Sequence, residues 1–197
     1  MPALQADLGL SLVQSGWVVA IFNLVAAGIA IFLGTLSDRY GHLLVALCGM
    51  VITALCGIIA GFSASGSALL ALRALEGFGF LLTVASIPPL ILRAASPTHR
   101  KPALALWGMY MPVGSGLMLA LSGPILMLAD WRILWWITSG LILAMTIPVW
   151  RVGMQLPNAP DRAQPRPGFA LTLRPALRRG PLQLGAIFMV YTASYLS

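Results

Sequence analysis

Apolar runs long enough to cross a bilayer follow one another along almost the whole chain, and this constrains the fold more than any other feature. A helical span needs about 20 apolar residues, rising about 1.5 Å each, to cross roughly 30 Å of hydrocarbon. Residues 13–33, 43–62, 68–92, 103–128 and 133–149 supply such runs, the third interrupted by Arg73 and Glu76 and the fifth a little short. A sixth begins at residue 182 and stops with the sequence at residue 197. Trp131, Trp135 and Trp150 flank the fifth run, where an amphipathic ring can lie half among headgroups. The expectation is an all-α membrane protein with five complete transmembrane helices and part of a sixth.

Composition points the same way. Charged residues make up 9% of the 197 positions, against about 25% in a soluble domain, so lipid must cover what polar side chains cannot. The net charge of +7 would ordinarily raise the question of nucleic acid. Here the basic residues sit in short clusters between apolar runs, a membrane-topology pattern, and no nucleic-acid partner is expected. Cys48 and Cys56 share one run and would lie roughly 12 Å apart along a helix, too far for a disulfide. No metal-ligand spacing occurs, and neither a metal nor a cofactor is implied. The first ten residues lack the basic cluster, short apolar core and cleavage site of a signal peptide.

The connections between runs alternate in charge. Those on one side carry ten basic residues: Arg39, Arg93, Arg100, Lys101, Arg151, Arg162, Arg166, Arg174, Arg178 and Arg179. Those on the other carry only Arg132, with Asp7 and Asp130. By the positive-inside rule loops 37–42, 94–102 and 151–181 are cytoplasmic, and the protein is a multi-pass inner-membrane protein. The first run then crosses from outside to inside with few residues before it. A further helix preceding Met1 is the simplest account, so the sequence reads as a fragment of a longer protein. Residues 151–181 hold six of the fourteen prolines and six basic residues, a composition that breaks helices and favours an extended linker. Three regions are expected: a bundle at 1–150, a cytoplasmic linker at 151–181, whose residues 169–179 could form a short interfacial helix, and the start of a second bundle at 182–197.

Two strings carry sharper information. Between the first two runs stands Gly34-Thr35-Leu36-Ser37-Asp38-Arg39-Tyr40-Gly41. Gly34 allows two helices to approach closely, Gly41 supplies the backbone angles of a tight turn, and Asp38 is placed to meet a helix amino terminus. Inside the third run stands Arg73-Ala74-Leu75-Glu76-Gly77-Phe78-Gly79. A charge at mid-membrane costs about 2.5–3.5 kcal/mol on insertion scales, so it faces a cavity or a partner. Arg73 and Glu76 are three apart, on one helical face, and can pair with each other.

The first string resembles the cytoplasmic loop signature of the major facilitator superfamily, although His42 and Leu43 stand where the family pattern continues with two basic residues. The second resembles a signature on that family's fourth helix. The resemblance covers nearly the whole chain, as helices two to six, the central loop and the start of seven. It implies a helical-bundle transporter, not an enzyme, lacking here its first helix and its C-terminal half. By resemblance, Gly34, Asp38, Arg39 and Gly41 latch a cytoplasmic gate, and Arg73 serves proton coupling or an anionic substrate. Glu76, a carboxylate able to carry a coupling proton, and Tyr110, a polar contact to substrate, are the further candidates for the same site. Gly77, Gly79, Pro112, Gly114, Gly116, Gly123 and Pro124 are assigned to helix packing and bending. Residues 125–128 follow Gly123-Pro124 where the family's exchangers carry a glycine pair, which weighs against drug–proton exchange. Asp130-Trp131-Arg132 is similar to the family's outside turn between its fifth and sixth helices. The surroundings of Leu106-Trp107-Gly108 and Gly114 look like the cyanate-transporter-like branch, implying a small anion.

The functional expectation is therefore alternating-access transport of a small molecule or small anion, coupled to protons, within a lipid bilayer. Two rivals stand beside it. A non-transporting scaffold or receptor of the same fold would leave the Arg73–Glu76 pair unexplained. An intramembrane hydrolase would need a base near a nucleophile such as Ser115, yet both histidines, His42 and His99, fall in loops.

Overall fold

A computed structural model describes residue 5 and residues 7–156, apart from the side chains at 19, 23, 26–35 and 38. Among the described residues from Leu12 onward, six helices follow one another: α1 (Leu12–Tyr40), α2 (His42–Gly61), α3 (Gly66–Ala94), α4 (Arg100–Gly108), α5 (Tyr110–Leu128) and α6 (Trp131–Gln155). A single 3-10 turn, Pro97–His99, precedes α4. No strand occurs among the described residues. Among the described residues four stretches are long and apolar enough to cross a membrane: α2, α3, Pro97–Leu128 and α6. The 29-residue α1 precedes them.

Local chemistry sets the helix ends. Ser11 and Gln14 form a reciprocal capping box at the start of α1, with Gln14 N–H donating to Ser11 Oγ and Ser11 N–H to Gln14 Oε1. This satisfies amide groups that the first turn leaves without partners. Nothing between residues 34 and 40 breaks a helix, so α1 runs through Tyr40 and the expected 37–42 turn contracts to Gly41 alone. Gly41 takes φ +88°, and its N–H donates to the Ser37 carbonyl over 2.9 Å. Backbone of this kind is nearly closed to residues with a Cβ. Ser65 caps α3 by accepting from the Ala68 amide.

The run expected at 103–128 is interrupted at Met109, between α4 and α5. Proline at position 112 has no N–H to give the Gly108 carbonyl, and its ring crowds that carbonyl. The Met109 amide turns instead to Leu106, three residues back. At the far end α6 continues through Gln155, carrying Arg151 on the helix. The chain divides into two compact units, Met1–Pro157 and Asn158–Ser197. The expected linker beyond residue 156 and the expected second bundle at 182–197 lie outside the described residues.

Within the first unit, α3 packs along both α1 and α2, and α2 packs along α6. Two apolar clusters hold opposite ends. Val18, Ala60, Leu69 and Trp131 join the start of α1, the end of α2 and the starts of α3 and α6, with Leu8 and Leu10 folded against them. Val45 and Leu82 pack with Leu36, Ile52, Phe78 and Leu81 toward the other end. Residues on α2 recur as Gly49, Thr53, Gly57 and Gly61, one every helical turn, and all four are buried. A Cβ at Gly49 would meet the Gly79 carbonyl at 2.5 Å and Thr83 Oγ1 at 2.6 Å, while one at Gly57 would strike Ser139 and one at Gly61 would strike Trp136. Small residues let helix backbones approach until dispersion contacts dominate, which is how helices associate in lipid. By contrast α5 has no buried residue.

Candidate substrate and coupling site

The site grows from the backbone of α3. Gly77 lies against α1: a Cβ there would sit 2.5 Å from the Phe22 carbonyl oxygen. Gly79 lies against α2, where a Cβ would sit 2.7 Å from Thr53 Oγ1 and 2.8 Å from the Gly49 carbonyl oxygen. One glycine thus admits the first helix and the other the second. Arg73 and Glu76, one turn away, are held between neighbours that stand unusually near.

Arg73 Nη1 donates to Glu76 Oε2 over 2.7 Å, and the two side chains keep only 21% and 16% of their exposure. The guanidinium also lies over two aromatic rings from other helices. Its Cζ is 5.3 Å from the centre of Phe22 on α1 and 5.2 Å from that of Trp135 on α6. Both distances are within cation–π range. Arg73 Nε is buried with no hydrogen-bond acceptor among the described residues. The result is a neutralised pair with one donor left over, enclosed by α1, α3 and α6.

Tyr110 does not join this pair directly. Its ring is 5.2 Å from Trp107 and 6.4 Å from Phe80, and Phe80 in turn is 5.2 Å from Phe22. A row of tilted rings therefore runs from α4 and α5 to the edge of the Arg73 site. Tyr110 itself remains 37% exposed. In the 34–41 string, Arg39 lies over the ring of Tyr40 at 5.4 Å. Gly34 and Asp38 fall on the α1 backbone, and their side-chain surroundings lie outside the described residues. Pro112 begins the first turn after the Met109 break and Pro124 lies inside α5. Among the described residues, no neighbouring group would come within 4 Å of a Cβ at Gly114, Gly116 or Gly123.

Several contributors carried no sequence motif. Ser37 and Ser86 share a buried 3.0 Å hydrogen bond joining α1 to α3. Ser37 occupies the small-residue position of the loop signature, a signal that could have been read. Phe22 and Trp135 gave none, because their role depends on which helices become neighbours. At the opposite end, Arg132 pairs with Asp7 at 2.7 Å and Asp130 at 2.8 Å, and Trp131 Nε1 donates to Asp7. These contacts tie the segment before α1 to the start of α6. Ser115, the nucleophile a hydrolase would need, donates its Oγ to the Met111 and Pro112 carbonyls of its own helix, and His99 Nδ1 is bonded to Ser96.

Comparison with known proteins fits this geometry. The family model for the Major Facilitator Superfamily matches residues 1–197. A cephamycin export protein of Amycolatopsis lactamdurans is 32% identical over 133 residues, covering 67% of this chain and 27% of the relative. A multidrug efflux pump of Mycolicibacterium smegmatis is 26% identical over 169 residues, 85% of this chain and 32% of the pump. A methyl viologen resistance protein of Salmonella typhimurium is 33% identical over 116 residues, 58% of this chain and 23% of that protein. The chain spans about a third or less of the length of these relatives. With membrane-length helices packed through glycine and a family match along its whole length, the chain belongs to the major facilitator superfamily, a family of multi-pass membrane transporters rather than enzymes.

Proposed function

We propose that this chain is part of a secondary transporter that exports a small organic solute by alternating access, with protons coupled through Glu76. The observation that carries this reading is the enclosed Arg73–Glu76 pair. An arginine keeps its charge at any physiological pH, whereas a carboxylate can take up a proton. The pair therefore has two states of different net charge, as coupling requires. A purely structural role would be met as well by an apolar pair of equal volume, which is often neutral or stabilising. Export is favoured by the names of the relatives, none of the three being named for a small anion. The missing glycine pair after Pro124 weighs the other way. Two helix bundles would rock about a midplane site, with Gly34, Asp38, Arg39 and Gly41 at a cytoplasmic gate. Loops 37–42, 94–102 and 151–181 would lie inside the cell, following the positive charges. Gly114, Gly116 and Gly123 would serve packing against a membrane neighbour of α5.

A second reading, transport of a small anion, is favoured by the Arg73 Nε that has no acceptor among the described residues. Cells expressing the protein, loaded with methyl viologen or a cephamycin and energised by a pH gradient, separate these readings. Efflux is expected above that of cells without the protein, and Glu76→Gln is expected to bring it down to that background. Energised efflux by Glu76→Gln equal to wild type would remove Glu76 from coupling. Failure to export either probe, with gradient-driven movement of a small carboxylate, would favour the anion. Neither activity would leave a scaffold of the same fold.

A further inference from the structure

A charge pair that works by proton uptake faces a physical difficulty. When Glu76 becomes neutral, Arg73 loses the partner that offsets its charge inside the membrane, where an unpaired cation is costly. A long side chain in that position swings toward water or headgroups. The two rings over the guanidinium answer this difficulty. Phe22 reaches it from α1 at 5.3 Å and Trp135 from α6 at 5.2 Å. Ring faces attract a cation whatever the protonation of its neighbour, and tryptophan does so most strongly. Among the described residues, the titratable groups within electrostatic reach of Glu76 are Arg73 on its own helix and the Cys56 thiol on α2.

We propose that Phe22 and Trp135 are positioning residues that brace Arg73 in place when Glu76 is neutral, so that the cation stays in the site through the proton cycle. This inference rests on the reading that Glu76 takes up a proton. The brace leaves Arg73 with a freed face at the moment its carboxylate partner withdraws. An anionic or carbonyl group of the solute, or the returning carboxylate, can then occupy that face. Both braces come from other helices, and Gly77 sets the approach of one of them: the bare glycine brings the Phe22 backbone against α3. Any movement of α1 or α6 relative to α3 would loosen the hold on the cation, which links helix motion to the charge state of the site.

The test reads the position of Arg73 directly and needs no transported solute. Purified protein in detergent is treated with phenylglyoxal, an arginine-specific reagent, and the modification rate of Arg73 is followed by peptide mass spectrometry. Exposed Arg39 serves as the internal reference. Glu76→Gln, which mimics the neutral carboxyl, is expected to leave Arg73 reacting within about twofold of wild type. Adding Trp135→Leu to Glu76→Gln should speed the reaction by about 2- to 30-fold, the range that loss of a cation–π contact allows. Trp135→Phe in the same background should restore slow reaction, because a ring face returns. Should the leucine variant not fold, Phe22→Leu carries the same expectation. The brace is overturned if Glu76→Gln alone frees Arg73 so that ring removal adds nothing. It is equally overturned if leucine changes nothing, or if phenylalanine fails to rescue. Efflux unaffected by Glu76→Gln would defeat the coupling reading by a separate measurement, so the two failures are distinguishable.

Discussion

The interface between α2 and α3 and the surface of α5 are both rich in glycine, and they use it in opposite ways. Along α2 and α3, Gly49 and Gly79 face each other so closely that a Cβ on either would meet backbone oxygen of the other helix within 2.8 Å. Thr53 and Thr83 lie beside them, each donating to a carbonyl one turn back on its own helix. The Thr53 hydroxyl is thereby satisfied within its own helix, while that of Thr83 also reaches across the interface to the Ala46 carbonyl at 3.5 Å. Along α5, a Cβ at Gly114, Gly116 or Gly123 would meet nothing within 4 Å among the described residues, and large apolar side chains such as Leu119 and Met127 are exposed at 79% and 87%. Glycine content in a span therefore does not identify a packed face. The recurrence of small residues once per turn, as at Gly49, Thr53, Gly57 and Gly61, does so better.

Substitutions can break this contrast or sharpen it. The largest effect is expected from Gly79→Leu, which drives a side chain into the Gly49 backbone. The cost should reach or exceed the about 3 kcal/mol upper end of ordinary overpacking, read as a lowered melting temperature in detergent. Next comes Ser86→Ala, which leaves the buried Ser37 hydroxyl without its partner and should cost about 1–3 kcal/mol by the same assay. The smallest is Gly116→Ala. With open space around the position and a better helix former in place, stability should hold or rise by up to about 0.5–1 kcal/mol. A Gly116→Ala variant destabilised as strongly as Gly79→Leu would show that α5 is as tightly packed as α2, and the contrast would fall.

Much of the architecture was legible in the sequence because lipid imposes a length rule. The five apolar runs within the described residues became helices, and the three-residue spacing of Arg73 and Glu76 became a 2.7 Å ion pair. Gly41 was readable as a turn, since so short a connection between two long runs demands a residue free of a Cβ. The limits of α1 were not. Ser37 to Tyr40 are polar enough to read as a loop, yet helix hydrogen bonding at a membrane surface tolerates them. The break at Met109 was only half legible: Pro112 signalled bending, but its effect falls one turn earlier, at the carbonyl it cannot serve. Least legible was the setting of Arg73. Phe22 and Trp135 belong to other helices, and no local pattern says which rings will meet a given side chain after packing.

Gly41 has a consequence for how the two helices can move. One residue separates α1 from α2, so there is no slack to absorb a displacement of one against the other. A shift of either helix is passed on to its neighbour through that single joint, and a spacer added at position 41 is expected to uncouple them.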